Sequence, residues 1–224
     1  MLKSAFESGL RPAWFVADEV YSRDASFWRW LEQTAQQPYV LTVNKRQPTP
    51  INFKTHYAEA LAQSVKAEDW HRLSSGAGTK GERYDDWARV RLSCRQPEGF
   101  SRWFLFRRSL NHHPKDLPSI SYYQAFAPSD TSLETLVGVA GQRWRIEECF
   151  QFAKDGLGLG DYEVRSWAGW HRHTALVLAA GAFLSVLRSQ VERLGELSTP
   201  PLFSAPVADG SLAVFKAARG LSYV

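Results

Sequence analysis

The stretch "RWRIEECFQFAKDGLG", residues 143–158, combines the periodicity of an α-helix with charged residues among apolar neighbours. Because successive residues turn about 100° around a helix axis, Glu147 and Lys154 lie within roughly 40° of Arg143. Apolar residues, among them Phe150, flank this charged row. A half-buried row of charges is costly unless the charges are paired or functional. The stretch therefore predicts a helix that carries either ion pairs or a polar site.

Patterns on both sides of this helix predict an α/β fold. Helical periodicity begins at Ser132, continues to about Lys154, and returns from about Trp167 to Leu194. Upstream, apolar runs and alternating patterns predict strands at 13–17, 39–43, 86–95, 101–110 and 119–128, and helices at 24–35, with Asp24 as N-cap, and at 57–67. The segment 74–81 has the composition of a loop. This order predicts an α/β core, interrupted by a β-rich insertion and followed by long helices.

The composition suits one large domain, or a core with an insertion. The chain has 224 residues, 44% of them hydrophobic, and a formal net charge of +4, which permits an acidic partner. Cys94 and Cys149 are expected to be buried thiols in a reducing compartment, because they fall inside a predicted strand and a predicted helix. The longest apolar run, 174–187, is too short to span a bilayer, and no signal peptide is visible. We therefore expect a soluble, cytoplasmic protein without a membrane partner.

Basic residues are concentrated in the middle of the chain. Residues 44–110 contain 13 Lys and Arg against 7 Asp and Glu. The alternation in 86–95 places Arg89, Arg91 and Arg95 on one face of a predicted strand. Such a face suits contact with a phosphate backbone, and it is equally typical of the solvated outer face of a sheet. Composition leaves both interpretations open.

Two carboxylates are candidates for a metal site. Asp18 directly follows a predicted buried strand, and ligands of open α/β sheets bind at the carboxyl ends of strands. The same position also suits an Asp that caps a turn. Glu147 is the second candidate, with Arg143 and Lys154 placed to hold phosphate oxygens. The alternative for these three is an ordinary Arg–Glu pair with a nearby Lys. Spacing alone does not separate the interpretations.

Five separated blocks resemble the DDE transposases of bacterial insertion sequences, in the subgroup with a Tyr-Arg-Glu-Lys signature. The signature helix is matched by "QRWRIEECFQFAK". The other blocks are "WFVADEVYSRD", "SSGAGTKGERYDDWARVRL", "FRRSL" and "DYEVRSWAGWHRHTALVLAAGAFLSVLR". They occur in the order that the family has, between about residue 12 and about residue 190. The position of the signature Tyr is occupied by Ala140.

The resemblance implies an RNase H-like core with three carboxylates, two divalent metal ions (Mg²⁺ or Mn²⁺), and a β-rich insertion between the second and third carboxylates. Asp18 matches the second catalytic Asp and Glu147 the third carboxylate, so both are expected to bind metal. Arg143 and Lys154 match the signature residues that contact DNA phosphate near the cleaved end. If Asp18 and Glu147 share one pair of ions about 4 Å apart, their carboxylates are expected roughly 4–8 Å apart.

The implied function is metal-dependent DNA cleavage and strand transfer at transposon ends. The implied partners are double-stranded DNA, both ends and target, and further copies of the chain when the enzyme is active. The family's first catalytic Asp lies upstream of the strand before Asp18, and only 17 residues precede Asp18 here. The chain is therefore expected to lack full activity alone. The alternative is a non-catalytic DNA-binding or inhibitory remnant.

The resemblance also divides the chain into four segments. We expect the second half of the core sheet in 1–43, the basic insertion in 44–128, the Glu147 helix with a closing helix in 129–195, and a weakly structured tail in 196–224. The segment "WAGWHRH", 167–173, could contact DNA through its aromatic and basic residues, or pack its Trp residues on the core.

Overall fold

The computed structural model describes residues 2–51, 54–78, 81–110, 119–163, 165–193 and 213–214. The chain forms two compact units. The first, called the sheet unit, comprises residues 1–143 together with 207–224, and the second, called the helical unit, comprises residues 144–206. The mixture of helices and strands confirms the α/β class that the sequence predicts.

The sheet unit carries all the described strands. Its strands are β1 (Phe15–Ala17), β2 (Tyr39–Val43), β3 (Pro48–Ile51), β4 (Lys54–Tyr57), β5 (His71–Gly78), β6 (Gly81–Arg91), β7 (Phe100–Arg108), β8 (Ile120–Pro128) and β9 (Ala213–Val214). Its helices are α1 (Leu2–Glu7), α2 (Glu19–Ser22), α3 (Ala25–Gln33), α4 (Ala58–Ser64) and α5 (Leu133–Gly141).

One mixed sheet organises this unit, in the order β5-β6-β7-β8-β2-β1-β9. Strands β1 and β2 are parallel, whereas β2, β8, β7, β6 and β5 pair antiparallel in succession. Because β8 hydrogen-bonds directly to β2, strands expected for the insertion and for the core lie in one continuous sheet. The four-segment division stays a prediction. Strands β3 and β4 form a separate hairpin.

Helices cover both faces of the sheet. On one face, Trp87, Trp103 and Leu105 pack against Leu136 and Val137 of α5. On the other face, alternate residues of the same strands, such as Phe104 and Phe106, pack against α4, and Tyr39 and Phe126 pack against α3. The alternation of side chains along a strand therefore gives this sheet two apolar faces.

Two details of the sheet differ from the sequence predictions. Residues 74–78 belong to β5, although their composition predicts a loop. The reason is a β-bulge, in which glycine supplies the positive φ of +99° at Gly76 that the bulged strand requires. Strand β6 ends at Arg91, so Arg95 lies outside the strand and the shared strand face predicted for it is wrong. The strands predicted at 13–17, 39–43, 101–110 and 119–128 are confirmed with small changes of boundary.

The single helix predicted from Ser132 to Lys154 is interrupted. Helix α5 ends at Gly141, the segment Gln142–Trp144 is a 3-10 turn, and α6 (Arg145–Leu157) begins a new helix in the helical unit. Arg143 is therefore not on the same α-helix as Glu147. The angle of roughly 40° between Arg143 and Glu147 requires one continuous helix, so it does not apply here.

The described helical unit consists of α6 and α7 (Trp167–Arg193). Helix α6 is terminated at Gly158, whose φ of +71° lets the N–H of Leu159 donate to the Ala153 carbonyl over 2.8 Å. Gly181 lets α7 approach α6 closely, because a Cβ at this position would lie 3.3 Å from Leu157 Cδ1. Gly158 thus determines where α6 ends, and the missing side chain of Gly181 allows the close approach of the two helices.

Helix α7 is apolar and largely exposed. Leu176 is 72% exposed and Phe183 is 63% exposed. By length and composition alone, Trp167–Val191 could cross a membrane, and within this range only Val177 is buried. The segment between Arg172 and Arg188 is about 22 Å long at 1.5 Å per residue, shorter than the roughly 30 Å hydrocarbon core of a bilayer. The helix therefore remains weak evidence for a membrane span.

Candidate functional site

Asp18 stands at the carboxyl end of β1, beside the parallel strand β2. All three residues of β1 are buried, so the strand holds the backbone before Asp18 in place. Asp18 is the N-cap of α2, and its Oδ1 accepts a hydrogen bond from Val20 N over 3.1 Å. Within the described residues, Oδ2 has no hydrogen-bond donor. The capping role expected as the alternative is confirmed, and one carboxylate oxygen is left over for a ligand.

Polar groups next to Asp18 belong to the same end of the sheet. Asn44 follows β2, and its amide Nδ2 donates to Glu19 Oε1 over 3.5 Å. Glu19 also accepts from Arg23 Nε over 3.1 Å, in an exposed pair one helical turn apart. Glu19 is thus engaged by a cation and by an amide, whereas Asp18 is bound through a single backbone amide.

Glu147 lies in the first turn of α6 and is half-buried. A carboxylate in the first turn of a helix is stabilised by the helix dipole. Lys154 lies in the last turn of the same helix and is exposed, as is Phe150. Arg143 is half-buried and is the last residue of the sheet unit. Of the predicted charged row, Glu147 is half-buried as expected, whereas Lys154 is accessible to solvent.

The resemblance implies a two-metal site that contains both Asp18 and Glu147. Asp18 belongs to the sheet unit and Glu147 to the helical unit, so their expected separation stays a prediction. No three His, Cys, Asp or Glu side chains among the described residues form a group that could hold a metal ion. The described residues therefore do not by themselves present the three-carboxylate set.

The three arginines predicted to face DNA occupy different environments. Arg89 is half-buried, donates from Nη1 to the Thr131 carbonyl over 2.6 Å, and lies 5.5 Å from the Trp103 ring centroid. Arg91 and Arg95 are exposed, and no hydrogen bond or ion pair joins either of them to a described residue. The DNA-binding role of all three stays a prediction, but Arg91 and Arg95 are the two whose guanidinium groups are accessible.

Most other basic residues of the middle segment are engaged within the chain. Asp86 accepts from Arg72 over 3.1 Å and from Arg108 over 3.5 Å, while Asp85 lies 3.8 Å from Arg107. Ion pairs also join Lys45 to Glu59, Lys66 to Glu68 and Arg102 to Glu32. The basic side chains of this segment that are free to bind a partner are therefore fewer than its 13 Lys and Arg.

The segment 167–173 forms the first turns of α7. Trp170 packs on Tyr162 with ring centroids 5.3 Å apart, and His173 Nε2 donates to the Gly158 carbonyl over 3.0 Å. Trp167 is exposed and packs edge-on against His171 at 4.3 Å. Trp170 is therefore half-buried by a local contact with Tyr162, whereas Trp167 remains accessible, and packing on the core stays a prediction.

The two cysteines are free thiols in different surroundings. Cys94 is half-buried and lies beyond the end of β6, and Cys149 is exposed on α6. The prediction that both are buried is wrong for Cys149, because the apolar pattern of α6 does not extend to its outer side, and Cys94 is half-buried rather than buried.

The structure contains two polar clusters that no sequence pattern predicts. One joins Arg83 to the end of α5, and the other joins Glu32, Tyr39, Arg102 and Gln124 inside the sheet unit. Both connect residues that lie far apart in the chain, so local spacing carries no signal for them. The arginine of the first cluster lies in the "SSGAGTKGER" block that contributes to the resemblance.

No protein-family model and no curated protein matches this chain.

Proposed function

We propose that this chain is a DDE-type transposase of a bacterial insertion sequence, with an RNase H-like core, that binds double-stranded DNA. The observation that carries the proposal is Asp18, a carboxylate at the carboxyl end of a fully buried strand in a parallel pair. In open α/β sheets this edge is where ligands bind. The five blocks of resemblance support the same assignment and extend it to Glu147, Arg143 and Lys154.

In this proposal each residue has a separate role. Asp18 and Glu147 supply carboxylate oxygens, which are the ligands that Mg²⁺ prefers. Arg143 and the exposed Lys154 bind phosphate oxygens of DNA, and Arg91 and Arg95 add contacts to the phosphate backbone. The enzyme acts in the cytoplasm as a soluble homo-oligomer, cleaving DNA at transposon ends and joining those ends to a target.

The ligand set of the described residues favours a second candidate, a protein that binds DNA without cutting it. Asp18 and Glu147 are two carboxylates, whereas the family uses three. Fewer negative ligands leave two neighbouring divalent ions less well neutralised. This candidate shares the DNA-binding surface and differs in the expected nicking activity.

The test measures binding and nicking together. The purified chain is titrated with Mg²⁺ and with Mn²⁺ in the presence of a labelled duplex that carries the ends of the encoding element. Anisotropy reports binding, and denaturing electrophoresis reports nicking. We expect binding with little metal-dependent nicking. Glu148→Gln, a neighbour of Glu147 outside the motif, is the matched control for Glu147→Gln and should leave both readouts unchanged.

The possible outcomes separate the candidates. Absence of binding at low salt would overturn the proposed function altogether. Binding without nicking at any metal concentration supports the second candidate. Nicking that disappears in both Asp18→Asn and Glu147→Gln supports an active transposase and requires a third carboxylate from elsewhere in the chain.

A further inference from the structure

The "SSGAGTKGER" block builds a binding site for one arginine side chain. In the β5–β6 hairpin, two residues, Ser75 and Gly76, stand opposite Arg83 alone, which makes a β-bulge. The Arg83 guanidinium donates to the Ser75 carbonyl over 3.1 Å and to the Gly76 carbonyl over 3.3 Å. Gly78 leaves room for the Arg83 stem, because a Cβ there would lie 3.0 Å from Arg83 Cδ. The glycines of the block thus form the cradle of Arg83.

The third partner of Arg83 is the end of helix α5. Arg83 Nη2 donates to the Gly141 carbonyl over 3.2 Å. The last carbonyls of a helix have no partner within the helix, and a cation at this end also interacts favourably with the helix dipole. Gly141 lies so close to the hairpin that a Cβ would be 1.8 Å from the Ser75 carbonyl oxygen. Arg83 and Gly141 together fix the point at which α5 stops.

A second arginine of the same strand holds the other end of α5. Arg89 donates to the Thr131 carbonyl, next to the N-cap residue Ser132. Strand β6 therefore binds α5 at both ends, through residues six positions apart. This arrangement differs from a single surface contact, because both the position and the direction of α5 are restrained.

We infer that Arg83 is a positioning residue that holds residues 141–143, the end of α5 and the turn that follows it (called the junction), and thereby presents Arg143 for DNA binding. Arg143 lies two residues beyond Gly141, in the 3-10 turn that follows α5. An arginine binds a phosphate best when its own backbone is held in place. Displacing that backbone lowers the affinity for DNA although the charge of the side chain is kept. The Arg143 part of this inference rests on the proposed function, and the restraint of the junction does not.

The first experiment measures amide hydrogen exchange in the full chain for wild type, Arg83→Met and Arg89→Met. Because Arg83→Met removes three hydrogen bonds from a charged group, we expect exchange at residues 141–143 to accelerate about tenfold or more. Arg89→Met should instead accelerate exchange at 131–134. Arg91→Met, an exposed arginine of the same strand, is the control and should change neither segment.

A uniform acceleration across β7 and β8 as well as the junction would show general destabilisation and would overturn the inference. If Arg83→Met does not fold, Arg83→Lys keeps one cation at the site, and it should give a smaller acceleration confined to 141–143. Unchanged exchange at the junction in a folded variant would likewise overturn the inference.

The second experiment is a double-mutant cycle on the affinity for a 40-base-pair duplex of mixed sequence. We expect Arg83→Met to weaken binding severalfold in wild type, and to have no further effect in an Arg143→Ala background. Additive effects would show that Arg83 does not act through Arg143. If wild type does not bind the duplex, the proposed function has failed, whereas the exchange experiment still decides whether Arg83 holds the junction.

Discussion

Glu32 is a charged residue with no solvent exposure, and its direct partners come from two strands of the sheet unit. Arg102 Nε donates to Glu32 Oε1 over 2.9 Å, and a second guanidinium nitrogen binds Oε2. The Tyr39 hydroxyl donates to Oε1 over 2.6 Å and accepts from Gln124 Nε2 over 2.7 Å. A buried charge is tolerated only when such bonds satisfy it. The cluster therefore ties α3 to β2, β7 and β8.

Tyr39 gives this cluster a pH dependence. Burial, and then the neighbouring Glu32 carboxylate, raise the pKa of Tyr39 well above its ordinary value of 10.0. As the pH rises past about 10, the unfolded chain loses this proton while the folded chain keeps it, so the free energy of unfolding falls. We expect this group to contribute a loss of up to about 1.4 kcal/mol per pH unit above that point.

Urea denaturation at a series of pH values from 8 to 11 measures this effect. Tyr39→Phe should remove the alkaline slope that belongs to Tyr39, whatever its effect on stability at neutral pH. Tyr84→Phe, which changes an exposed tyrosine, should retain the slope. An identical slope in wild type and Tyr39→Phe would contradict the assignment.

At the scale of elements, helix α5 is positioned by close backbone contact with β5 as well as by its apolar face. Gly138 and Gly141 lie in the same helix in contrasting surroundings. A Cβ at Gly138 would meet nothing within 4 Å, whereas a Cβ at Gly141 would collide with the Ser75 backbone. Two glycines that look equivalent in the sequence thus have opposite tolerance for a side chain.

We therefore expect Gly141→Ala to destabilise the sheet unit, since helix and hairpin must move apart. Gly138→Ala should be neutral or stabilise by up to about 1 kcal/mol, because alanine has the higher helix propensity. Thermal melting followed by circular dichroism compares the two variants. Equal melting temperatures for both would show that α5 can shift away from the hairpin without loss.

At the scale of the whole molecule, the formal charge of +4 does not tell which basic side chains are free to bind an acidic partner. The ion pairs and carbonyl contacts of the middle segment occupy most of its basic side chains. Arg91 and Arg95 remain exposed and without a partner among the described residues. DNA affinity is expected to depend on such accessible groups, because each phosphate contact releases condensed counterions.

The salt dependence of DNA binding tests this expectation. Arg91→Ala combined with Arg95→Ala should reduce the slope of log K against log salt by nearly two units, at roughly 0.9 per lost phosphate contact. The control is Arg23→Ala combined with Lys66→Ala, which removes the same charge from residues already paired with Glu19 and Glu68. Equal changes of slope in both double variants would show that only net charge matters.

The sequence by itself determined those features that depend on residues close together in the chain. Buried strands at Phe15–Ala17 and Tyr39–Val43 follow from apolar runs, and α3 begins after Asp24, whose Oδ1 accepts from Ser26 N and Phe27 N. The α/β class follows from the same local patterns. The candidate carboxylates Asp18 and Glu147 were found through their positions beside such elements and through the resemblance.

Only the tertiary structure decided which distant groups meet. Glu32 and Arg102 are separated by 70 residues, and Arg83 and Gly141 by 58, so no periodicity relates them. The glycines of 74–81 have the composition of a loop, and it is the pairing of β5 with β6 that makes them a bulged strand. Likewise, the break at Gln142–Trp144 arises where α5 is held by the hairpin. Hydrogen bonds and close backbone contacts are satisfied by whichever groups the fold brings together, and local propensity does not specify those groups.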